Sequence, residues 1–442
     1  MKASIYNLII PTDNSGEFIL YNTLKCSAFV IDEEVKNILE NSKFLDGNSL
    51  EDNCFQTFKK EGIIIDDNID ERKIVKVLRE DSKFHKSYMK FVVLTTYACN
   101  LACPYCFEGK GDILHKSMSP DSTKRFIKFV KNMAEEYNRK IIDVTLFGGE
   151  PLLNLDACFE ILDSLYNWCK EKNIKFKPGI ITNGTLLNQE IIDKFVKYGM
   201  YFIQITLDGP KDVNDQRRIH KNGKGTYDEI IKNLQMVKKS GIPIQLLVNV
   251  DKSNFDRIEE LLDDLIKKDL GEILIPIEPV YSVTEACAGY TPLCLRDVEI
   301  EKIIPKLWRM ADKKGFQLPL APNKFPLWCG TEFRFSYVVD SFCDIYKCVS
   351  FLGKKEHCVG SINEDGKITE IKYPYYDLMA RDPLNMETCR DCKLLPMCGG
   401  GCPALAYKNY GTYHRESCLR IKGLEDRIKL YLETQFPDKF KN

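Results

Sequence analysis

Cys99, Cys103 and Cys106 stand in C-x3-C-x2-C spacing within Tyr97-Ala-Cys-Asn-Leu-Ala-Cys-Pro-Tyr-Cys-Phe107, directly after the apolar run 91–96. Three soft sulfur ligands in so short a stretch bind one loop to a metal centre. The run before them places that loop at the end of a strand. A structural zinc ion asks for a fourth protein ligand close by, which disfavours it here. A four-iron, four-sulfur cluster has four irons, so three cysteines leave one iron open to a ligand from outside the protein.

The rest of the chain says what kind of sheet that strand belongs to. Apolar runs at 91–96, 141–146, 179–182, 201–207, 242–250 and 272–278 read as strands. Helical periodicity near 119–138, 155–172, 189–198, 226–240 and 253–268 fills the gaps between them. Five to six such units predict an α/β fold, a partial barrel of parallel strands over residues 86–280. In such barrels the chemistry sits on loops at the carboxyl ends of the strands, where Cys99 falls. Residues 1–85 precede the barrel. Strand patterns at 5–10, 17–22 and 27–31, with helical periodicity near 32–41, 49–60 and 70–80, predict a small winged-helix-like module. Residues 281–328 read as a connector with one helix near 296–315. Residues 329–442 read as a cysteine-rich, turn-rich domain closed by a short helix near 418–434.

Composition narrows the class of partner. The net charge of −1 gives no bulk attraction to nucleic acid or to an anionic membrane. The first residues lack the apolar length and cleavage site of a signal peptide, and no apolar run is long enough to span a bilayer. A cytoplasmic protein is expected. Eighteen cysteines in such a chain point to metal or redox chemistry and away from disulfides. Exposed iron–sulfur clusters are destroyed by oxygen, so an anaerobic source is expected.

Three further segments end predicted strands. Phe147-Gly-Gly-Glu-Pro151 follows the second, Ile181-Thr-Asn-Gly184 the third, and Thr206-Leu-Asp-Gly-Pro210 the fourth, with Asp215-Gln-Arg-Arg218 after it. Paired glycines let a backbone approach a ligand closely, and the Glu150 carboxylate can accept from a cationic amino group. The cysteine spacing and its flanks, with Gly148-Gly149-Glu150-Pro151 downstream, resemble the radical S-adenosylmethionine (radical SAM) superfamily. That superfamily shares a partial (β/α)6 barrel, in agreement with the strand count. The resemblance implies that SAM chelates the open iron and is cleaved to methionine and a 5′-deoxyadenosyl radical. It implies that Gly148, Gly149 and Glu150 bind the SAM amino group, that Thr206 contacts the ribose, and that Arg218 or its neighbour Arg217 contacts the carboxylate. Asp208 is a substrate-pocket candidate by position.

A second cysteine pattern lies near the carboxyl end. Cys389, Cys392, Cys398 and Cys402 give C-x2-C-x5-C-x3-C, with Cys418 beyond and Cys329 and Cys348 upstream. The seven resemble the SPASM domain of radical SAM enzymes that act on peptides and proteins. By that resemblance Cys389, Cys392, Cys398 and Cys418 hold an outer [4Fe-4S] cluster, and Cys329, Cys348 and Cys402 an inner one. Three [4Fe-4S] clusters and SAM are then the cofactors. Two fully ligated auxiliary clusters need eight cysteines. The family pattern has a glycine five residues before the second cysteine, where this chain has Cys343. Either Cys343 closes the inner cluster or the position stays open for a substrate thiolate. A zinc ribbon is the alternative for these cysteines. The remaining ones, among them Cys158 and Cys169 on one predicted helix, read as buried core residues or free thiols. None of the five histidines has metal-ligand spacing with another.

Residues 1–85 resemble the peptide-recognition module of maturases of ribosomally made peptides, in which a leader peptide adds a strand to the sheet edge. Together the resemblances imply a maturase that abstracts hydrogen from a precursor peptide and forms a thioether, as sactipeptide and ranthipeptide enzymes do. They also imply an electron donor of flavodoxin or ferredoxin type. The alternatives are an anaerobic sulfatase-maturing enzyme and a carbon–carbon cross-linking or epimerising maturase. Val349 stands directly after Cys348, where sulfatase-maturing enzymes carry an aspartate. From a different class, an iron–sulfur electron carrier would have no use for Gly148-Gly149-Glu150.

Overall fold

The computed structural model describes residues 1–41, 45, 50–85, 88–109, 116–322, 327, 329–418 and 422–440. The chain forms two compact units. One comprises His85–Pro319 with Arg334–Met379; the other comprises Met1–Phe84, Leu320–Phe333 and Ala380–Asn442. These units cut across the four consecutive segments read from the sequence.

The first unit is built on a nine-stranded sheet. Six parallel strands run in chain order: Tyr88–Thr96, Ile141–Gly148, Lys175–Thr182, Phe202–Thr206, Ile244–Val250 and Ile277–Pro279. Their register aligns Val93, Leu146, Ile180, Ile203 and Ile244 in one row across the sheet. All five are buried, and each such side chain contributes about 1.5–3 kcal/mol on leaving water. Helices Pro120–Glu136, Leu155–Glu171, Gln189–Lys197, Tyr227–Ser240 and Ile258–Lys267 connect the strands. The first starts where Ser119 Oγ accepts from the Ser122 N–H (3.1 Å) with Pro120 in the opening turn. Phe126 and Phe129 of that helix meet Phe91 of the first strand edge-on.

The sheet departs from expectation at its edges. Of the run 272–278, only Ile277–Pro279 pairs as a strand, preceded by isolated bridges at Leu274. Pro276 and Pro279 have no N–H to give a ladder. On the opposite edge, Ser336–Val339 adds parallel to Tyr88–Thr96 and turns back through Asp344–Tyr346 to Gly360–Ser361. The connector holds helix Asp297–Lys313 and a 3-10 stretch, Glu285–Leu293.

The second unit begins with three antiparallel strands, Asn7–Pro11, Glu17–Asn22 and Ser27–Asp32. Helices Glu33–Asn41, Asp52–Lys60 and Glu71–Lys83 follow, and Lys2–Ala3 pairs with Ile64–Ile65. Residue 49, the expected start of the second helix, lies outside the described residues, as do 419–421 of the expected closing helix. Leu20 and Ile31 face the module's own helical core with Leu39, Phe55 and Phe58. The alternate residues Ile19 and Tyr21 face Met397, Ile428 and Leu432. The sheet is therefore covered on both sides, which is why Phe18-Ile-Leu-Tyr21 reads as continuously apolar. Among the described residues no helix is long and apolar enough to cross a membrane.

Candidate active site

The loop after the first barrel strand carries Cys99, Cys103 and Cys106 and is fastened on both flanks. On one side the Ala102 N–H donates to Ile219 O (2.8 Å) and the Lys221 N–H to Asn100 O (3.1 Å), around a Leu101–His220 bridge. On the other the Gly149 N–H donates to Thr96 O (3.0 Å) and the Glu150 N–H to Ala98 O (2.8 Å). Inside the loop the Leu101 N–H points at Cys99 Sγ (3.4 Å), and the Cys106 N–H donates to Cys103 O (3.2 Å). The three sulfurs share one electrostatic neighbourhood, since Cys103 and Cys106 both act on Cys99. Burial pushes the Cys99 thiol up to about 12 and raises that of Cys103. Thiols gathered in this way are hard to ionise alone; a cationic metal centre reverses that balance.

The glycines serve this loop directly. A Cβ at Gly148 would lie 2.4 Å from Thr96 O, and one at Gly149 would lie 2.5 Å from both Tyr97 O and Ala98 O. These are backbone atoms and cannot rotate aside. Gly149→Ala is expected to push the cysteine loop outward, at an overpacking cost of about 1–3 kcal/mol. The thermal midpoint should fall by roughly 2–10 °C and iron bound at the loop should drop. Unchanged midpoint and iron content would show that the two loops can part without loss.

Glu150 is fully buried. Its carboxylate accepts from the Leu152 N–H (3.0 Å), Thr182 Oγ1 (2.7 Å) and the Asn183 N–H (2.7 Å). Burial raises its pKa while these donors work to lower it. It ties the end of the third strand to the Gly-Gly loop. Asn183 completes the tie: its Nδ2 donates to Asn100 Oδ1 (2.7 Å) and stands 3.9 Å from Cys99 Sγ. Sequence reasoning noted the Asn183 segment but gave it no task.

A buried charge cluster lies at the ends of the fourth and fifth strands. Arg217 Nη1 donates to Asp251 Oδ2 (2.7 Å), Ser253 Oγ (2.7 Å) and Tyr290 OH (3.0 Å), and its Nε lies 3.6 Å from Asp208 Oδ2. Arg218 is different. Its Nη1 donates to Tyr105 OH (3.1 Å), whose own proton goes to Asp208. The Arg218 Nε is buried with no hydrogen-bond partner among the described residues, and no carboxylate there lies in ion-pair range of it. Arg218 is also the cation acting most strongly on Cys103. A buried guanidinium beside the cysteine loop with donor capacity left over suits a ligand carboxylate. Arg217 Nε likewise has no hydrogen-bond partner among the described residues, but it lies 3.6 Å from the Asp208 carboxylate. Thr206 is the buried last residue of the fourth strand. Tyr105 sits inside the cysteine motif, where its neighbours drew the attention. Tyr290 comes from the connector and carried no local signal.

The carboxyl-terminal cysteines divide. Within the second unit Cys389, Cys392 and Cys418 all act on Cys398. Burial pushes Cys398 up to about 12 and Cys389 up to about 11. As placed, no group of three or more His, Cys, Asp or Glu among the described residues is arranged to hold a metal ion. Cys329, exposed beside Thr331 Oγ1 (3.0 Å), has Cys402 as an electrostatic neighbour. Cys348 lies half-buried in the barrel unit before the turn Val349–Phe351. Cys343 is held elsewhere in that unit. It occupies a left-handed turn position (φ 66°), fully buried, with its thiol donating to Ser122 O (3.4 Å). Its charged neighbours are Arg125, Asp340 and Asp121.

Comparison with known proteins agrees with this geometry. Residues 93–265 match the family model of the Radical SAM superfamily. The cysteine-type anaerobic sulfatase-maturating enzyme of Clostridium novyi is 24% identical over 373 residues, 77% of this chain and 95% of that protein. The radical SAM cyclopropyl synthase TigE of Paramaledivibacter caminithermalis is 22% identical over 465 residues, 92% of this chain and 90% of that protein. Among solved structures, Streptococcus suis SuiB bound to its precursor peptide SuiA superposes with a TM-score of 0.56 at 18% identity, over 95% of this chain and 99% of that one. At that identity the likeness shows the fold.

Proposed function

We propose that this chain, whose residues 93–265 match the Radical SAM superfamily, is a maturase that forms a thioether in a ribosomally made precursor peptide. Cys99, Cys103 and Cys106 would hold a four-iron cluster, which would supply the electron for reductive cleavage of SAM. The chain's own groups orient the ligand. Arg218 takes the SAM carboxylate, the Gly148–Glu150 loop borders the amino group, and Thr206 meets the ribose. Tyr105 and Asp208 fix the Arg218 guanidinium, and the paired Arg217, Asp251 and Tyr290 close that side to water.

What carries the peptide reading is the composition of the second unit. The three-stranded module of residues 1–84 folds in one unit with Cys389, Cys392, Cys398 and Cys418. The module is proposed to bind the leader, and the four cysteines to hold an auxiliary cluster, with Cys329 and Cys402 belonging to another. SuiB, similar over nearly the whole chain, was solved with its precursor peptide. Cys343 points to the thioether within this class. Its thiol donates to Ser122 O (3.4 Å), which supports a substrate cysteine over Cys343 as the eighth auxiliary ligand. A flavodoxin- or ferredoxin-type donor would supply the electron.

Anaerobic co-expression with a cysteine-containing precursor peptide tests this. The product is expected to lose two hydrogens per link and one alkylatable thiol per link. The sulfatase-maturating relative favours a second reading, formylglycine formation. That product would lose the cysteine sulfur, and Val349 offers no carboxylate after Cys348. A product lacking hydrogens but with every thiol still alkylatable would mean carbon–carbon bond formation, and would sink the thioether.

A further inference from the structure

Two arginines and one glutamate form a buried ion cluster among the carboxyl-terminal cysteines. Arg79, from helix Glu71–Lys83, donates through Nη2 to Glu332. Arg381 donates through Nη1 to the other oxygen of Glu332 (3.1 Å). All three side chains are at most 1% exposed. Charges so placed are costly unless they are paired and given further hydrogen bonds. Here the further bonds run to the backbone between and beside cysteines. Arg381 Nη1 donates to Gly399 O (3.0 Å), Nη2 to Gly400 O (2.5 Å) and Nε to Tyr413 O (2.8 Å). Arg79 Nη1 also reaches Gly399 O (3.4 Å).

Each contact lies within five residues of a cysteine in the sequence. Gly399 and Gly400 lie between Cys398 and Cys402, Tyr413 precedes Cys418, and Glu332 follows Cys329 by one turn. The segment has no slack of its own. Gly401 pairs with Ser417, and a Cβ there would lie 1.9 Å from Ser417 O. The cluster of two guanidinium groups and one carboxylate carries one net positive charge. A cysteine-ligated iron–sulfur cluster is anionic, and nearby charge tunes its potential.

We infer that Arg79, Glu332 and Arg381 are the positioning residues of the auxiliary iron–sulfur site, and that Arg79 makes the amino-terminal module part of that site. The inference rests on the auxiliary-cluster reading above. It means that residues 1–84 do more than hold a peptide: the third helix of the module sets the geometry and the charge beside the cysteines. An event that shifts this helix then alters the cluster's potential.

The test uses the full chain with Cys99, Cys103 and Cys106 changed to alanine, so that only auxiliary iron remains. In that parent, after anaerobic reconstitution, iron should be roughly two thirds of the wild-type content. Into it go Arg79→Met, Arg79→Lys and Glu332→Gln, each followed by iron and sulfide content, circular dichroism and a redox titration monitored by electron paramagnetic resonance. Arg79→Met is expected to lose about half of the parent's iron or, where it keeps iron, to lower the midpoint potential, because a positive charge near an anionic cluster favours reduction. Glu332→Gln should shift the potential the opposite way. Arg79→Lys should restore iron content. Opposite shifts from the two charge changes are not what a merely structural role would give. Should Arg79→Met fail to fold, the Glu332→Gln shift decides. A parent that holds iron, with variants matching it in iron and potential, overturns this inference alone. A parent without iron overturns the auxiliary-cluster reading, and this inference with it.

Discussion

Changing Cys103 to alanine will reduce 5′-deoxyadenosine formation to the level of an enzyme-free control while the chain still folds. Cys103 is buried, yet the local turn depends on its carbonyl, which accepts from the Cys106 N–H, and alanine keeps that carbonyl. The loop stays fastened through Ala102, Lys221, Gly149 and Glu150. What goes is one of three sulfurs, and a cluster with two protein ligands has no stable hold on four irons. Iron should fall by about one third if two auxiliary clusters remain, while the far-ultraviolet circular dichroism stays that of wild type. Serine should not rescue, since its hydroxyl is a hard ligand that ionises far less readily than a thiol. SAM cleavage at one-tenth of the wild-type rate or more in Cys103→Ala would remove the cysteine loop from the chemistry. An unfolded variant would instead assign Cys103 to packing. The same measurement rejects the electron-carrier alternative, because a carrier forms no 5′-deoxyadenosine in the wild type either.

The parallel sheet could be read from sequence because its strands are short apolar runs separated by helices with one apolar face each. Phe91–Thr96 is mostly buried, and Ile244–Val250 alternates buried with half-buried residues. The strand Ser336–Val339 could not be read, because its partner is the first barrel strand, far back in the chain. Short strands of three or four residues carry too little pattern to show such pairing. The same holds for the second unit. Nothing local in Glu17–Asn22 says that Ile19 and Tyr21 will meet Ile428 and Leu432.

Site residues divide along a similar line. Those with short-range spacing, Cys99, Cys103, Cys106 and the Gly148–Glu150 loop, were visible because adjacent residues on one loop bind one object. Residues that work by pairing across the fold were not. Asp251, Tyr290, Arg79, Glu332 and Arg381 become meaningful only once burial removes their access to water and each needs a partner. Glu150 shows both kinds of signal. Its place in the Gly-Gly loop was visible in the sequence, whereas its three donors from the chain, Leu152, Thr182 and Asn183, were not.

Arg217 and Arg218 will fail in opposite ways when each is changed to glutamine. Arg217 is the counter-charge of Asp251 and lies beside Asp208, both fully buried. Removing it leaves the buried Asp251 carboxylate without its cation, and breaking a buried pair costs about 3–5 kcal/mol. The thermal midpoint of Arg217→Gln should therefore fall by on the order of 10 °C. Activity should fall with the folded fraction and recover on cooling or on adding a stabilising osmolyte. Arg218 carries no such structural duty. Among the described residues its one side-chain hydrogen-bond partner is the Tyr105 hydroxyl, which keeps Asp208 as acceptor when the guanidinium is gone. Arg218→Gln should melt within a few degrees of wild type. It loses a charge-assisted bond to the SAM carboxylate, worth about 1.5–3 kcal/mol, so the dissociation constant for SAM should rise about 10- to 100-fold. The rate at saturating SAM should change far less, since the carboxylate contact is made before cleavage and kept through it. Lysine at 218 restores the charge but not the two-pronged geometry and should recover only part of the affinity. Calorimetric SAM binding to the reconstituted enzyme, paired with thermal melts of the same samples, separates the two. Equal SAM affinity in Arg218→Gln and wild type would return the carboxylate contact to Arg217 and make the open Nε of Arg218 a feature of packing.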